Sequence, residues 1–554
     1  MRYVITLLLS VGIAASMPNS AKIDVDHGTM SAKGGGGGVK YTPMPAAVIY
    51  QDSANNQYSF WTDIQDPVAA HNDTVVFVFR RFDLNGSGYI GMVWRVAGES
   101  AWMVDHGMNG QWTNDPNGEA YLGRYPNAVY HPQFPTATWA ELAPGPAWGA
   151  IGIANELDYG VTGQFYGVYS GNIQVHKSIA KYVSDENSPY YGKIFGMAYD
   201  ANEQGYYYVY DPESYEFVVE PTLVPAVADA GGLVAFDYNG SRVAWFGGNF
   251  VVAYSDDYGT NWDIIPMALD SIPVEVYGED TLDSPFWQDG LLLNDGTPVM
   301  ITDITSGATY SSYGYVARTI WFVTPDFASQ IVPYDPNVIV YYPQLAIERN
   351  TGTLYALWMQ AAPEYIVYED SIVGVGWFDV YASRSTDGGH TWDTPINITN
   401  TPDVNEGLLQ VAREVSPEGN IYFAVGRARG QNSGVQPAPM DTLDLLWDVV
   451  ARDGICDMYV DLMMYNYPPA VEEGGIGNNA LLKIVGNKVA FSLPRTGRVN
   501  INVYDASGRV VKSIAREFNA GEHTITIDGL NSGVYIVRAE GSGLSASGKL
   551  IVLH

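Results

Sequence analysis

Short apolar or alternating runs, each ended by Gly, Asn, Asp or Pro, recur along most of the chain, and apolar positions at helical spacing are scarce. Period-two patterning broken by turn residues predicts strands and tight hairpins throughout. One unit repeats: an apolar strand, a polar turn, then a β-branched or aromatic strand. Leu233-Val-Ala-Phe turns at Asp237-Tyr-Asn-Gly into Val243-Ala-Trp-Phe, and Pro343-Gln-Leu-Ala-Ile turns at Arg349-Asn-Thr-Gly into Leu354-Tyr-Ala-Leu-Trp. Equivalent hairpins begin at Pro67, Pro126, Ile194, Pro285 and Leu408, giving seven spaced roughly 40 to 65 residues apart.

A third, outer strand usually follows each hairpin. This spacing suits four-stranded sheets packed radially, which leave only short edges. The expected fold is all-β: a six- or seven-bladed β-propeller over residues 44–466. The lower count applies if one hairpin is an insertion.

The alternation becomes cleaner beyond a linker at 467–477, Tyr467-Pro-Pro-Ala-Val-Glu-Glu-Gly-Gly-Ile-Gly. Lys488-Val-Ala-Phe-Ser-Leu, Val499-Asn-Ile-Asn-Val-Tyr and His523-Thr-Ile-Thr-Ile are among about seven short strands in residues 478–554. They predict a small immunoglobulin-like β-sandwich. At the other end, Arg2 precedes the apolar run Val4 to Ala15, with small residues Ala14, Ala15 and Ser16 after it. This is the order of a secretory signal, assigned to residues 1–22, and the run is too short to span a bilayer. Residues 23–43, with glycines from Gly34 to Gly38, form a flexible leader.

Charge divides the 554 residues at the same linker. Residues 478–554 hold 9 Lys and Arg against 5 Asp and Glu, while the preceding 477 hold 19 against 56. The whole carries a formal charge of −33, so the body is far more acidic than the tail. Such acidity excludes nucleic acid and anionic membranes as partners, because phosphates are repelled. The single cysteine, Cys456, permits no intrachain disulfide and no cysteine zinc site.

Two short motifs read Ser-x-Asp-x-Gly-x-x-Trp: Ser255, Asp257, Gly259 and Trp262, then Ser385, Asp387, Gly389 and Trp392. Each follows an outer-strand candidate. The Asp can accept turn amides, Gly permits positive φ, and Trp can cover the turn. The pattern resembles the Asp-box, or bacterial neuraminidase repeat, of sialidase-like propellers. That resemblance implies a structural role for these eight residues and carries little about activity. A degenerate copy is Asp105-His-Gly107 with Trp112 at the wrong offset.

The tail elements Val503-Tyr-Asp-x-x-Gly508-Arg-Val-Val, Gly521-Glu-His, Leu530-Asn-Ser-Gly-Val-Tyr and Lys549-Leu-Ile-Val-Leu resemble the type A sorting domain of type IX secretion substrates. The resemblance covers roughly the last 75 residues. It implies export, interaction with the type IX machinery, and residence outside the cell or on the outer-membrane surface of a Gram-negative-type bacterium.

Chemistry in a propeller belongs to the funnel where inner strands converge. The candidate rim residues are Asp66, Arg124, Tyr125, Lys193, Asp283, Tyr342 and Glu406, with Arg413 close behind. Catalytic residues stay unassigned. A sialidase-like enzyme would clamp a carboxylate with three arginines. Its Phe-Arg-Ile-Pro motif is absent, and the nearest run, Phe79-Arg-Arg-Phe82, ends a second strand. The expected function is recognition of an extracellular polymer, glycan being the first choice because 40 Tyr and 14 Trp supply flat faces with polar handles. The alternatives are a glycoside hydrolase using funnel carboxylates, and a purely structural or adhesive surface protein. No metal site is assigned: Asp83-Leu-Asn-Gly-Ser-Gly88 begins like an EF-hand, but its twelfth position is Trp94. No cofactor is expected beyond calcium held loosely by loop carboxylates.

Overall fold

Thr74–Asp83 shows how one sequence run builds this architecture. Its residues 75 to 79 are all apolar, and they serve two cores. Val75, Phe77 and Phe79 face one, while Val76 and Val78 face another with Met92, Trp94 and Trp139. A strand covered on both faces reads as a continuous apolar run.

The computed structural model describes residues 45–53, 66–83, 86–109, 123–141, 150–164, 166–169, 175–200, 202–240, 242–277, 280–306, 317–335, 337–361, 365–368, 371–375, 378–401, 405–429, 457–467, 482–485, 488–493, 496–504, 509–519, 521–527, 529–530, 533–541 and 544–552. The expected export signal and glycine leader, the expected linker after Tyr467, and Cys456 lie outside them. The chain divides into two compact units, Met1–Tyr467 and Pro468–His554.

In the first unit, successive antiparallel meanders follow the chain, here named sheets A to G in the order of their innermost strands: Val68–His71, Gly123–Val129, Val175–Tyr182, Leu233–Asn239, Asp280–Leu292, Ile339–Glu348 and Asn405–Val411. Three further strands extend each sheet outward. Sheets E and F are joined by one pairing, Ala317 with Val340. The innermost strands, or in sheets A and G also their second strands, touch their neighbours in sequence, and sheet G returns to sheet A. The ring is therefore closed. Sheet G is completed by the N-terminal strand Ala47–Ser53, which pairs antiparallel with Asp457–Asn466. Separate cores fill the gaps. Phe195, Met197, Phe236 and Trp245 pack between sheets C and D, and Phe246, Met300 and Val323 between D and E. Radial sheets around a closed ring make this unit a β-propeller.

The hairpin read at Ile194 is out of phase. Ile194–Asp200 and Gly205–Asp211 are the second and third strands of sheet C, and the innermost is Val175–Tyr182. The sequence Val-His-Lys-Ser-Ile-Ala-Lys-Tyr is too polar to read as a buried strand, and only the ring gives it both its neighbours. In the EF-hand-like run, Asp83 pairs with Gly86, and the strand from Gly86 continues through buried Trp94.

Among its described residues, the second unit forms two sheets. Leu482–Val485, Lys488–Leu493 and Gly521–Thr526 form one, and Val510–Phe518, Gly497–Tyr504, Gly533–Gly541 and Leu544–Val552 the other. Val489, Phe491 and Ile525 from the first meet Val499, Ile501, Val503 and Val537 from the second in a shared core.

Candidate functional site

An innermost strand has one edge facing the propeller axis, where its backbone donors lack a strand partner. Here side chains of neighbouring inner strands supply acceptors. Asp237 Oδ2 takes the Leu292 amide at 2.8 Å, Asp289 Oδ2 the Leu345 amide at 2.9 Å, and Gln344 Oε1 the Val411 amide at 2.7 Å. Asn127 accepts the Asp66 amide and donates to the Ser178 carbonyl at 2.7 Å. These bonds lace sheet D to E, E to F, F to G, and B to both A and C.

Aiming the amide side chains requires a local irregularity. The inner strands of B, E, F and G carry a register shift at 124/127, 285/288, 341/344 and 407/410, each ending on Asn127, Gln288, Gln344 or Gln410. Tyr125, Tyr342 and Leu408 hold positive φ of 52°, 52° and 55° there. Such values are uncommon outside glycine and mark bulges that re-aim the next side chains along the strand.

Beyond the bulges the axis is filled by charge. Arg413 donates from Nε to Asp66 Oδ2 (3.2 Å), from Nη1 to the Gly290 carbonyl (2.6 Å), and its Nη2 lies 2.9 Å from Asp289 Oδ1. Lys181 Nζ reaches Asp66 Oδ2 at 3.0 Å, and Arg349 Nη2 reaches Asp237 Oδ2 at 3.0 Å. Burial alone would raise the Asp237 pKa, but Arg349, Lys181 and Arg413 hold it below the ordinary carboxylate value. Burial opposes the charge on Arg413, and the surrounding Asp289, Asp66 and Asp237 more than offset it, so it stays ionised. The six residues come from six different sheets and form a polar plug across the ring.

Of the residues expected at the rim, Asp66 and Arg413 are thus bonded to each other, at 4% and 7% exposure. Glu406 is enclosed between sheets F and G. It accepts from Thr399 Oγ1 at 2.6 Å and Thr401 Oγ1 at 3.0 Å and pairs with Arg427, which also holds Asp461 at 3.1 Å. Burial raises its pKa against the pull of Arg427. Lys193 precedes a second strand, Ile194–Asp200, not an inner one, and pairs with Asp211 at 2.6 Å. Arg124 and Tyr125 lie at the sheet B bulge. Asp283 is exposed, its Oδ1 accepting from Ser284 Oγ at 2.8 Å. Tyr342 is buried against Trp287, ring centroids 4.5 Å apart.

That last contact leads to residues absent from the sequence expectation. Phe286 and Trp287 occupy the sheet E bulge, with Phe286 41% exposed and edge-on to Trp287 at 5.1 Å. Phe286 thus stands exposed on half-buried Trp287, which in turn packs on buried Tyr342. In sequence they resemble core positions of a strand. The repeated Tyr-Pro-Asn/Gln at 125–127 and 342–344 was the available signal for the bulge.

The two Ser-x-Asp-x-Gly-x-x-Trp turns fold alike. Ser255 Oγ donates to Asp257 Oδ1 at 2.8 Å and accepts the Gly259 amide at 2.8 Å; Ser385 does the same to Asp387 at 2.8 Å and Gly389 at 2.9 Å. Asp257 caps the Asn261 amide and Asp387 the Thr391 amide, at 2.8 and 2.9 Å. Gly259 and Gly389 have φ of +94° and +91°. Trp262 packs on Tyr207 and Trp392 on Phe322, so each turn grips the preceding sheet.

Residues 485–553 match the secretion system C-terminal sorting domain. The chain therefore couples a β-propeller to a sorting tail of a secretion system, and that tail marks it as secreted or associated with the cell surface or outer membrane. No helix among the described residues is long and apolar enough to cross a membrane. A search of curated proteins returns no match to the chain. Among solved structures, YCF48 from Cyanidioschyzon merolae is 10% identical with a TM-score of 0.37, covering 76% of this chain and 99% of its own. The GH93 alpha-L-arabinofuranosidase of Fusarium graminearum in complex with arabinobiose is 9% identical with a TM-score of 0.30, covering 74% and 97%. The SapL1 lectin in complex with alpha methyl fucoside is 10% identical with a TM-score of 0.29, covering 58% and 98%. Likeness at this level says nothing of ligand or reaction.

Proposed function

We propose that the chain is a type IX-exported, surface-attached protein whose sheets A to G are the blades of a seven-bladed Asp-box propeller, followed by an immunoglobulin-like sorting sandwich. Its function is recognition of an extracellular glycan at the axial end where the inner strands begin. The observation that carries this reading is the exposed ring of Phe286, backed by half-buried Trp287 and buried Tyr342, in a ring whose axial charges are already paired. Flat apolar rings present the kind of face that sugar rings cover. Asp66, Asp237, Asp289 and Glu406 are enclosed and ion-paired, so they do not offer the exposed carboxylate pair that glycoside hydrolysis uses.

The test is a glycan array probed with the full-length protein, alongside Phe286→Ala and Trp287→Ala. Binding of a neutral glycan that falls at least tenfold in both variants supports the reading. Turnover of any array sugar by the wild type would replace recognition with hydrolysis. Glycan binding untouched by either substitution would move the site away from Phe286.

A further inference from the structure

The inner strands finish at the other axial end, and there sheets G, A, B and C, consecutive around the ring, set out a second group of aromatic side chains. His71 ends the inner strand of sheet A, Tyr130 directly follows that of sheet B, and Tyr182 ends that of sheet C. Tyr191 lies on the loop from Tyr182 to the next strand, Ile194–Asp200. Glu414 comes just after the inner strand of sheet G and bridges in parallel to Ile347, near the end of that of sheet F.

Contacts across the sheet boundaries tie these residues into one arc. His71 Nδ1 lies 2.8 Å from Glu414 Oε2, and the His71 ring stacks on Tyr130 with centroids 4.7 Å apart. His131, 4% exposed, secures the next step from the interior. Its ring meets Tyr182 edge-on at 4.7 Å, and its Nε2 donates to the carbonyl of Gly192, beside Tyr191, at 3.1 Å. The turn that carries Tyr191 is fixed at its base: the Tyr191 amide donates to the Ser188 carbonyl and the Gly192 amide to the Val183 carbonyl, each at 3.1 Å.

The arc is open as well as ordered. Tyr191 is 49% exposed, the His71 and Glu414 side chains are 43% and 36% exposed, and Tyr130 and Tyr182 are half-buried. Burial raises the Tyr130 pKa and Glu414 adds to it; burial raises that of Tyr182, with Tyr191 and Tyr130 adding. Both hydroxyls therefore stay neutral and able to donate. The lysines nearby, Lys181 and Lys193, pair with Asp66 and Asp211 at 3.0 and 2.6 Å, so neither clamps an anion.

Open rings with hydroxyls at their edges, beside a carboxylate acceptor, suit the apolar face and the hydroxyl groups of a pyranose. The acidity of the surrounding body disfavours a charged sugar acid. We propose that Tyr130, Tyr182 and Tyr191, with the His71–Glu414 pair, form a second saccharide site, which takes a neutral oligosaccharide at the axial end where the inner strands finish. It does not rest on the reading of Phe286.

The test uses the full-length protein and a panel of neutral hexasaccharides of glucose, mannose, galactose or xylose, with binding followed by titration calorimetry. Wild type is compared with Tyr191→Ala, Tyr182→Phe and Phe286→Ala. We expect one of the hexasaccharides to bind about tenfold more weakly to Tyr191→Ala, and less tightly also to Tyr182→Phe, which keeps the ring and loses the hydroxyl. Phe286→Ala should keep that binding, so failure of this site and failure of the site at Phe286 are seen apart. Tyr191 is exposed, so its replacement should leave the unfolding midpoint unchanged. Wild-type affinity in either tyrosine variant, or no binding of any hexasaccharide by the wild type, would overturn the proposal. Loss in Phe286→Ala alone would do the same.

Discussion

Arg413 and Asp66 lie 347 positions apart in sequence and are joined at 3.2 Å in the interior of the propeller. Arg413 belongs to the last sheet of the ring and Asp66 precedes the first strand of sheet A. Their bond therefore closes the ring from inside, as the pairing of Ala47–Ser53 with Asp457–Asn466 closes it from outside. Arg413 also reaches sheet E through Asp289 and Gly290.

Replacing Arg413 by Met should leave Asp66 and Asp289 buried with less compensation. Breaking one partner out of a buried ionic network costs about 3–5 kcal/mol. Arg413→Lys keeps the charge but loses the planar fork that serves Asp66, Asp289 and Gly290 together, so its loss should be intermediate. Chemical denaturation of the three proteins measures this order. Equal stability of Arg413→Met and wild type would deny the plug a structural role.

The two serine-aspartate turns should respond unequally at glycine. A Cβ on Gly259 would come 3.0 Å from Tyr207, whereas on Gly389 it would fall well inside the ring of Phe322, and both positions hold positive φ. Gly389→Ala should therefore cost more than Gly259→Ala, by about 1–3 kcal/mol. Ser255→Ala and Ser385→Ala remove the acceptor of a buried turn amide and should each cost about 1–3 kcal/mol. Unfolding midpoints of the four variants test the glycine order and the serine losses.

His131 should make the propeller sensitive to mild acid. Burial lowers its pKa to about 4, with the bond to the Gly192 carbonyl working the other way. Its Nδ1 accepts the Gln133 and Phe134 amides at 3.1 and 3.2 Å, and protonation would remove that acceptor. The folded value is below the unfolded one, so this contribution is complete above about pH 6.5 and is lost as pH falls toward 4. It amounts to up to about 3 kcal/mol. Unfolding free energies of wild type and His131→Gln between pH 4 and 7 should converge at the acid end.

His71 should act with the opposite sign. Its hydrogen bond to Glu414, 2.8 Å from Nδ1, raises its pKa although burial pulls the other way. The pair links the first turn of sheet A to the segment after the inner strand of sheet G. Its stabilisation is present below the unfolded histidine pKa and disappears as pH rises through the folded one. Histidine NMR titration should show His71 titrating above 6.5, and Glu414→Gln should bring it down. A value at or below 6.5 in the wild type would contradict the clasp.

Much of the fold could be read locally. Inner and second strands of sheets A, B and D to G follow the hairpins at Pro67, Pro126, Leu233, Pro285, Pro343 and Leu408, because turn residues and apolar strands leave their mark within a dozen positions. Sheet C escaped, since Val175–Tyr182 carries His176, Lys177 and Lys181 on a strand whose environment is the polar axis. The candidate site was much less legible. Asp66 and Arg413 were singled out, but as rim residues open to ligand, and their pairing could not be read across 347 positions. Asp289 sits between Gln288 and Gly290, a string that reads as a turn. Phe286 reads as core, but at the bulge it is exposed.

The sequence by itself determined whatever depends on neighbours along the chain: strand periodicity, the serine-aspartate turns, and the sorting tail beyond the charge break. The tertiary structure alone decided which charges cancel at the axis and that the Phe286 ring stays exposed. The physical reason is that closing a ring brings together inner strands separated by tens to hundreds of residues. Burial and charge compensation at those meetings depend on distance in space, which local patterning does not encode.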